Sequence, residues 1–282
     1  MNQRVVNNVR LNVVESGEAP GTLVLLHGLL FSHRMFDAQV RALESRFCCV
    51  RMDFRGQGGS EVTPSGYHLD TLAEDAIALI EQLDRGRVHL LGFSMGGMVA
   101  QRVALKRPEL LHSLVLMNTS AEPEPKRKRP RFALLNLAAR FLGLESVAPR
   151  ILPLLFSDRF IEDPACREER DRWLAMVTAN DRIGVSRAVR GVVSRKSILD
   201  RIHRIALPTL IIAADQDRAT PPDRARRMQE RIGGSKLVMI EGSGHMTTAE
   251  RPDEVNRLLA AFLASVAGAV DSSAANTHGG VL

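Results

Sequence analysis

The stretch HLLGFSMGGMVAQ, from His89 to Gln101, joins a strand pattern to a helix pattern through a serine with glycines on both sides. An apolar run typical of a buried strand ends at Gly92, and a helical pattern begins soon after Ser94. The pattern G-x-S-x-G at a strand-to-helix junction is typical of a sharp turn that holds a reactive serine hydroxyl above the edge of a sheet. A tight turn that merely needs small residues is the alternative, but the strand before it and the helix after it favour Ser94 as a nucleophile.

Apolar runs of strand length alternate with helical patterns along most of the chain. The runs cover residues 22–28, 47–54, 87–93, 110–118, 208–215 and 235–242. Continuous apolar strands are typical of a parallel sheet that helices cover on both faces. The opening stretch RVVNNVRLNVVESG (4–17) can add a two-stranded antiparallel edge. The sequence therefore predicts an α/β fold, with a mostly parallel sheet of about eight strands and helices on both faces.

The alternation of strands and helices breaks between residues 121 and 204. Prolines open this segment, and helical patterns without a strand pattern follow. The sequence therefore predicts an inserted all-helical cap at 121–204. The two parts of the α/β core are then 1–120 and 205–267, and the small, polar residues 268–282 are predicted to form a disordered tail. A second helical domain without a role is the alternative, but a cap is favoured where a site lies below it.

The net charge of +6 is concentrated in one short run. Five cationic side chains lie in KRKRPR (126–131), and the rest of the chain balances 33 basic against 32 acidic residues. Such a run is typical of a nucleic-acid contact, an anionic-membrane contact or a solvated loop. Because no interleaved aromatic residues or binding motif accompany the run, we predict a solvated loop and no nucleic-acid partner.

Three features of the sequence bear on compartment and cofactors. The N-terminal stretch lacks an apolar run of signal-peptide length, and no segment is long and apolar enough to span a membrane. The cysteines Cys48, Cys49 and Cys166 form no disulfide framework, so we expect a cytoplasmic protein with reduced thiols. No metal-ligand spacing, phosphate loop or dinucleotide fingerprint is present, so no cofactor is expected. The sequence leaves open whether the protein is a monomer or a homodimer.

A serine nucleophile needs a base, because its free hydroxyl is a weak nucleophile. Of the eight histidines, His245 has the most suitable position. It follows the last strand pattern, precedes the last helix pattern and has Gly242 and Gly244 close by. This places it at the same edge of a parallel sheet as Ser94. We therefore predict His245 as the base that takes the proton of Ser94.

The base in turn needs a carboxylate that orients it. The stretch AADQDRATPP offers Asp215 and Asp217, and we predict Asp217 because it lies in the loop rather than at the strand end. Asp215 remains the alternative, and Glu122 and Glu124, after the preceding strand, are weaker ones. The order Ser–Asp–His along the chain agrees with the order expected for this architecture.

Acyl transfer also needs two donors for the oxyanion that develops on the substrate. The Met95 N–H stands at the start of a helix, where backbone donors have no intrahelical partner. The second donor is predicted in the loop LLHGLLFS after the first core strand, where a turn at His27 and Gly28 lets the Leu29 N–H point inward. His27 is predicted to hold this loop rather than to take part in the chemistry.

With these motifs, the chain resembles the α/β-hydrolase superfamily from LLHGLL (25–30) to GSGHMTTAERP (242–252). Two further motifs that carry the resemblance are DFRGQGGS (53–60) and PTLIIAADQDRATPP (208–222). Gln57 departs from the family, in which a histidine is common in that turn. We expect little effect, because the turn is structural in the family.

Within the superfamily, the chain looks most like the small cap-bearing carboxylesterases, a group that includes 3-oxoadipate enol-lactonase and the cofactor-free haloperoxidase-type esterases. The resemblance disfavours the dehalogenase and epoxide-hydrolase branches, whose nucleophile is an aspartate, because this chain has Ser94. It implies a serine hydrolase that cleaves small to medium carboxylic esters or lactones through an acyl-enzyme.

Apolar residues of the predicted cap are candidate walls of a substrate pocket. Those predicted are Phe132, Leu135, Phe156 and Trp173. A lactone that carries a carboxylate needs a fixed cation in the pocket, and the candidates are Arg131, Arg187 and Arg190.

Three other activities share the same motifs. The site can also suit hydrolysis of a carbon–carbon bond in a ring-fission product, or transfer of an acyl group to peroxide. A ligand sensor with slow turnover, which signals to a protein partner, is the alternative from another class.

Overall fold

The structure, a computed structural model, describes the backbone of residues 3–276 and the side chains of residues 3–267. The strands are β1 (Gln3–Val6), β2 (Val9–Ser16), β3 (Thr22–Leu26), β4 (Cys48–Met52), β5 (Val88–Phe93), β6 (Leu111–Met117), β7 (Thr209–Ala214) and β8 (Lys236–Ile240). They form an eight-stranded sheet in the order β1-β2-β4-β3-β5-β6-β7-β8. β1 pairs with β2, and β2 with β4, in antiparallel fashion, whereas all other pairs are parallel. The predicted α/β fold with a mostly parallel sheet is confirmed.

The antiparallel edge of the sheet begins with a tight hairpin. Asn7 and Asn8 connect β1 to β2 with φ angles of 48° and 60°. Positive φ at both central residues is typical of a type I′ turn, whose twist matches that of the flanking strands, and asparagine tolerates this backbone. Val6 and Val9 face each other across the turn and are both buried, which sets the register of the pair.

Helices cover both faces of the sheet. They are α1 (Asp37–Leu43), α2 (Leu69–Leu83), α3 (Met95–Lys106), α4 (Arg129–Leu142), α5 (Ala148–Leu155), α6 (Asp158–Glu162), α7 (Arg167–Thr178), α8 (Arg182–Val193), α9 (Pro222–Arg231), α10 (Thr247–Glu250) and α11 (Pro252–Asn276). Successive strand side chains point to opposite faces. Val24 and Leu26 of β3 therefore join the core under α2, α3 and α9, and Leu23 and Leu25 join the core under α1 and α11. Burial on both faces explains why the strands read as continuous apolar runs.

The helical insert, defined here as residues 118–208 between β6 and β7, contains α4 to α8 and no strand. Two of its helices, α6 and α8, begin at a residue whose side chain caps the helix. The Asp181 carboxylate accepts hydrogen bonds from the N–H groups of Ile183 and Gly184, both at 2.8 Å, and so caps α8. α5 and α6 are short, and the sequence prediction did not distinguish them as separate helices.

Two segments differ from the sequence prediction. The basic run 126–131 is not a loop, because Lys126–Lys128 form a 3₁₀ turn and α4 begins at Arg129. Pro130 fits in the first turn of α4, where its missing N–H has no intrahelical role. α11 continues through 268–276, part of the predicted tail, and residues 277–282 lie outside the described residues. None of the helices in the described part of the chain combines bilayer-spanning length with sufficient apolar character.

Candidate active site

Ser94 stands on a strained corner between β5 and α3. Its φ of 51° and ψ of −114° are a combination that non-glycine residues rarely adopt. Its N–H donates to the Met117 carbonyl at 2.8 Å, and its carbonyl accepts from the Met98 N–H at 3.0 Å, so both sides of the turn are held. A Cβ at Gly96 would lie 2.0 Å from the Leu26 carbonyl oxygen, so this position needs glycine for β3 to pass. The second glycine of the G-x-S-x-G pattern therefore allows the backbones of α3 and β3 to approach closely.

Three predicted side chains meet at the carboxyl ends of the parallel strands. Ser94 follows β5, Asp217 follows β7 and His245 follows β8. The Ser94 Oγ lies 2.9 Å from His245 Nε2, and His245 Nδ1 lies 2.8 Å from Asp217 Oδ2. Parallel strands place their carboxyl ends at one edge of a sheet, which is how residues distant in sequence reach hydrogen-bond distance here.

Asp217 is held by donors on both carboxylate oxygens. Oδ1 accepts from the N–H groups of Ala219 at 2.9 Å and Thr220 at 2.7 Å. Oδ2 accepts from Thr220 Oγ1 at 2.8 Å and from Asn118 Nδ2 at 3.1 Å. These donors fix the orientation of the carboxylate before any substrate binds.

The protonation of the three groups follows from their surroundings. Burial raises the pKa of the Asp217 carboxyl, but the neighbouring His245 and the surrounding donors outweigh burial, so the pKa lies below its usual value. The ionised carboxylate only accepts hydrogen bonds, so His245 Nδ1 carries the proton that it donates to Asp217. His245 Nε2 is then free to accept the proton of the Ser94 hydroxyl.

The alternative carboxylates lie elsewhere. Asp215 is exposed to solvent, and the two glutamates form ion pairs with arginines. The pairs are Glu122 with Arg227 at 2.8 Å and Glu124 with Arg195 at 3.3 Å. His245 contacts Asp217 and Thr220 instead. Of the four candidate carboxylates, Asp217 is therefore the one that the structure places against His245.

The predicted oxyanion donors border the cavity above Ser94. Leu29 and Met95 both line it, and the Met95 N–H opens α3, where the first N–H groups have no intrahelical acceptor. His27 holds the Leu29 loop, because its Nε2 accepts from the Phe54 N–H at 2.9 Å and its Nδ1 lies 2.7 Å from the Gly28 carbonyl oxygen. Burial lowers the pKa of His27, which keeps the ring neutral and able to accept.

Gln57, which departs from the family pattern, makes a specific contact with the loop that follows β3. Its Oε1 accepts from the Leu30 N–H at 2.8 Å, and Leu30 has a φ of 74°. From the helical insert, Asn180 Nδ2 donates to the Leu30 carbonyl at 2.8 Å, and Asn180 Oδ1 accepts from the Gly58 N–H at 2.8 Å. The loop that carries the Leu29 N–H is thus held from both the 53–60 turn and the insert.

Replacing Gln57 with leucine is expected to lower kcat for a p-nitrophenyl ester about tenfold or more. The substitution leaves the buried Leu30 N–H without its acceptor, which costs about 1–3 kcal/mol. The loop is then expected to shift and to misplace the Leu29 N–H. Steady-state kinetics check this, with the exposed Gln229→Leu as the matched control. An unchanged kcat in the Gln57 variant would show that this contact does not position the loop.

A cavity of about 230 Å³ opens above Ser94. The core and the helical insert both contribute to its wall, and Phe132 and Leu135 line it as predicted. Other apolar residues of the insert on the wall include Ala139, Leu144, Val147, Ile151, Val185 and Val189. The cavity is smaller than the usual range for drug-sized ligands, about 300–1,000 Å³, and so favours a small ligand.

Two predicted wall residues do not line this cavity. Phe156 stacks on Phe160 with ring centroids 4.8 Å apart. Trp173 packs edge-on against Phe31 at 5.5 Å. Both predicted residues are almost fully buried within the apolar core that the insert shares with one face of the sheet. The prediction of these two was wrong because helical spacing shows which residues are apolar, but not which side of a helix faces the cavity.

Of the candidate cations, only Arg131 lines the cavity. Arg187 donates to a backbone carbonyl of the core at 2.6 Å, and Arg190 lines a separate groove between α4 and α8. Arg195, which the sequence did not single out, lines the cavity and pairs with Glu124. Burial lowers the pKa of Arg195 to about 10, still well above neutrality, so the pair is charged.

Glu250 is a further buried residue that sequence reasoning missed. Its Oε1 accepts from the Gly244 N–H at 2.9 Å and the Ser157 N–H at 3.2 Å, and its Oε2 accepts from the Ser157 hydroxyl. Burial raises the pKa of Glu250, and the hydrogen bonds from Ser157 and Gly244 oppose that shift. The side chain thus ties the loop before His245 to the N-terminus of α6 in the insert. Only its short spacing from His245 could have pointed to it.

Replacing Glu250 with alanine is expected to lower both the melting temperature and kcat. Three buried donors lose their acceptor, and a net cost of about 3 kcal/mol corresponds to a loss of roughly 6–12 °C in Tm. The loop that positions His245 also loses its support, so kcat should fall more than KM rises. Thermal denaturation and kinetics check this against the exposed Glu230→Ala. Equal behaviour of the two variants would rule out the role of Glu250.

Comparisons with known proteins agree with the fold. The family described as alpha/beta hydrolase fold matches residues 21–252. A Pseudomonas syringae protein that bears the provisional name carbamate hydrolase RutD is 30% identical over 252 residues, covering 89% of this chain and 96% of the relative. The 3-oxoadipate enol-lactonase 2 of Acinetobacter baylyi is 28% identical over 259 residues, covering 91% of this chain and 94% of the relative.

A solved structure supports the same assignment. The structure of a thermophilic esterase from Thermogutta terrifontis superposes with a TM-score of 0.87 at 26% identity, covering 94% of this chain and 98% of that one. The family match extends over most of the chain, and the fold and the strand-to-helix corner at Ser94 agree with it. The chain therefore belongs to the α/β hydrolase fold family.

Proposed function

We propose that the protein is a serine hydrolase that cleaves small to medium carboxylic esters or lactones through an acyl-enzyme. The observation that carries this proposal is the hydrogen-bonded chain from Ser94 through His245 to Asp217, at the base of a mostly apolar cavity. A hydroxyl, an imidazole and a carboxylate in this order are the parts of a nucleophile, a base and an orienting group.

In the proposed mechanism, Ser94 Oγ attacks the substrate carbonyl carbon while His245 Nε2 takes the hydroxyl proton. The Leu29 and Met95 N–H groups stabilise the resulting oxyanion. The tetrahedral intermediate collapses, and His245 returns the proton to the leaving alcohol. Water then attacks the acyl-enzyme, loses its proton to His245 and releases the acid, and the proton returns to Ser94. Asp217 holds the His245 tautomer and stabilises the imidazolium in both steps.

We propose that the helical insert acts as the cap of this site and sets the substrate class. Its helices contribute most of the apolar wall, which suits the acyl chain of an uncharged ester. Arg131 and Arg195 are two of the charged residues on the same wall, and Arg195 is already paired with Glu124. A short acyl group therefore fits the available volume better than a long one.

The relatives support acyl chemistry without choosing the leaving group. One relative is named for an enol-lactone, one for a carbamate, and the similar solved structure is titled as an esterase. All three substrate classes present a carbonyl carbon with a heteroatom leaving group, which the proposed mechanism can attack. The substrate panel below therefore includes each class.

The test is a substrate panel combined with covalent labelling. It comprises p-nitrophenyl esters from acetate to octanoate, an enol-lactone and an aryl carbamate, with a fluorophosphonate to label the nucleophile. We expect turnover of short esters, loss of activity after labelling, and a phosphonate adduct on the peptide that contains Ser94. No turnover of any acyl substrate, with Ser94 unlabelled, would overturn the proposal.

A ring-fission diene and added peroxide extend this panel to the other activities. Faster decay of a ring-fission diene than of any ester, followed by its absorbance, would assign carbon–carbon bond hydrolysis. Acyl transfer to added peroxide in preference to water would assign a perhydrolase. Very slow turnover of all substrates together with a rise in Tm on ligand binding would assign a sensor.

A further inference from the structure

Helix α4 exposes large apolar side chains on its outer side. Leu134 is 69% exposed, Leu137 55%, Phe141 66% and Leu142 74%. The first three follow a spacing of three and four residues, which places them on one stripe of the helix. Among the described residues, seven large apolar side chains are exposed, and these four account for most of them. We call this group the α4 patch.

The opposite side of α4 is apolar as well. Phe132, Leu135 and Ala139 face inward and line the cavity above Ser94. Apolar side chains thus lie on two sides of α4, and each exposed apolar side chain on the outer side forfeits the free energy of burial. The outer side of α4 is therefore unlike an ordinary solvent-facing helix surface, and a contiguous apolar patch of this kind marks an interaction site.

Cationic side chains lie near both ends of α4. The basic run 126–131 leads directly into α4, and Lys126, Arg127 and Arg131 are exposed. At the other end of the helix, the Arg140 guanidinium lies 5.8 Å from the Phe141 ring centroid. The run accounts for most of the net charge of +6, so the positive potential of the chain is concentrated beside the patch.

We propose that the α4 patch and the basic run together dock on an anionic lipid bilayer surface. The apolar side chains enter the boundary between headgroups and acyl chains, and the cations bind the anionic headgroups. Large apolar side chains bordered by lysine and arginine are the combination that an interfacial helix requires. The sequence alone predicted a solvated loop at the basic run. The exposed apolar stripe next to it becomes visible only when the orientation of α4 is known.

Two other occupants fit less well. A second copy of the chain carries the same net charge of +6, and this like charge disfavours its approach to the basic run. A nucleic acid would bind the cations through its phosphates, but that contact makes no use of four exposed leucine and phenylalanine side chains. Only the lipid surface uses both features.

This inference goes beyond the proposed function and does not depend on it. α4 carries the lipid contact on one side and the cavity wall on the other, so docking would place the cavity one helix away from esters dissolved in the bilayer. Docking itself requires no catalysis. Ser94→Ala is therefore expected to bind vesicles like the wild type, which separates a failure of docking from a failure of the proposed chemistry.

The test is flotation of the full chain with vesicles of equal parts phosphatidylglycerol and phosphatidylcholine, compared with pure phosphatidylcholine. We expect binding to the anionic vesicles only, and weaker binding at high salt because charge is screened. L134S/L137S/F141S should weaken the affinity about 100-fold. K126Q/R127Q should weaken it about tenfold or more, from the loss of two headgroup contacts.

Matched controls and opposing outcomes keep the test decisive. V5S/K236Q removes one exposed apolar and one exposed basic side chain from other surfaces, and should bind like the wild type. The proposal is overturned if the wild type does not float with anionic vesicles, or if the triple α4 variant floats as well as the wild type. If vesicle binding is absent, two further results would assign the α4 patch to another occupant and overturn the proposal. One is a dimer of the wild type that the triple variant dissociates. The other is oligonucleotide binding that K126Q/R127Q abolishes.

Discussion

Replacing Ser94 with alanine is expected to lower kcat for p-nitrophenyl butyrate by at least about 10⁴-fold, or about 5.5 kcal/mol of transition-state stabilisation. The variant keeps the cavity and the backbone donors of Leu29 and Met95, but it has no atom that can form the acyl-enzyme. Residual activity would then come from substrate binding and oxyanion stabilisation of a direct attack by water. KM should change little, because the alanine leaves the apolar wall intact.

The measurement is steady-state hydrolysis, supported by mass spectrometry after fluorophosphonate treatment. Ser94→Ala should gain no adduct, whereas Ser265→Ala, which removes an exposed serine of α11, should be labelled and active like the wild type. Because Ser94 has a φ of 51°, the folded state of each variant is checked by its melting temperature. A properly folded Ser94→Ala that hydrolyses the ester at the wild-type rate would refute the nucleophile assignment.

Replacing Asp217 with asparagine is expected to lower kcat about 10⁴-fold while leaving the fold intact. The asparagine amide can donate to His245 Nδ1, which moves the ring proton to Nε2. Nε2 then cannot accept the proton of Ser94, so the serine stays a weak nucleophile. The carbonyl oxygen of the asparagine can still accept from the Thr220 N–H, so the loop keeps part of its support.

Asp215→Asn is the matched control for this substitution, because Asp215 lies in the same loop and is exposed. It should retain close to wild-type kcat. Equal losses in the two variants would show that the loop, rather than the contact between Asp217 and His245, determines the rate.

Asp217 also makes a pH-dependent contribution to stability. Its pKa is lowered in the folded protein, so the carboxylate stabilises the fold above the pKa of the unfolded chain, and this contribution is lost as the pH falls through the folded-state pKa. The difference in unfolding free energy between the wild type and Asp217→Asn should therefore be largest near neutral pH and shrink in acid. Denaturant unfolding at several pH values measures it, and a difference that grows toward acid pH would contradict the cause assigned to the shift.

Local patterns were sufficient to predict the architecture, and they also pointed to the three groups of the candidate site. Buried parallel strands require continuous apolar runs, and the corner at Ser94 requires small residues at fixed offsets, so both features can be read within a few residues. His245 and Asp217 could be chosen because the loops after parallel strands share one edge of the sheet. The structure places these residues within hydrogen-bond distance of one another.

Sequence alone predicted the alternation of strands and helices in the core, the corner that carries Ser94 and the loops that carry its partners, because each depends on neighbouring residues or on a general rule of sheet topology. The packed structure was needed to show which residues line the cavity, why Phe156 and Trp173 do not, and how Gln57 and Glu250 support the loops. It alone revealed the outward apolar stripe of α4. Local periodicity does not encode which side of an insert helix is turned toward the cavity, because that orientation depends on packing against distant parts of the chain.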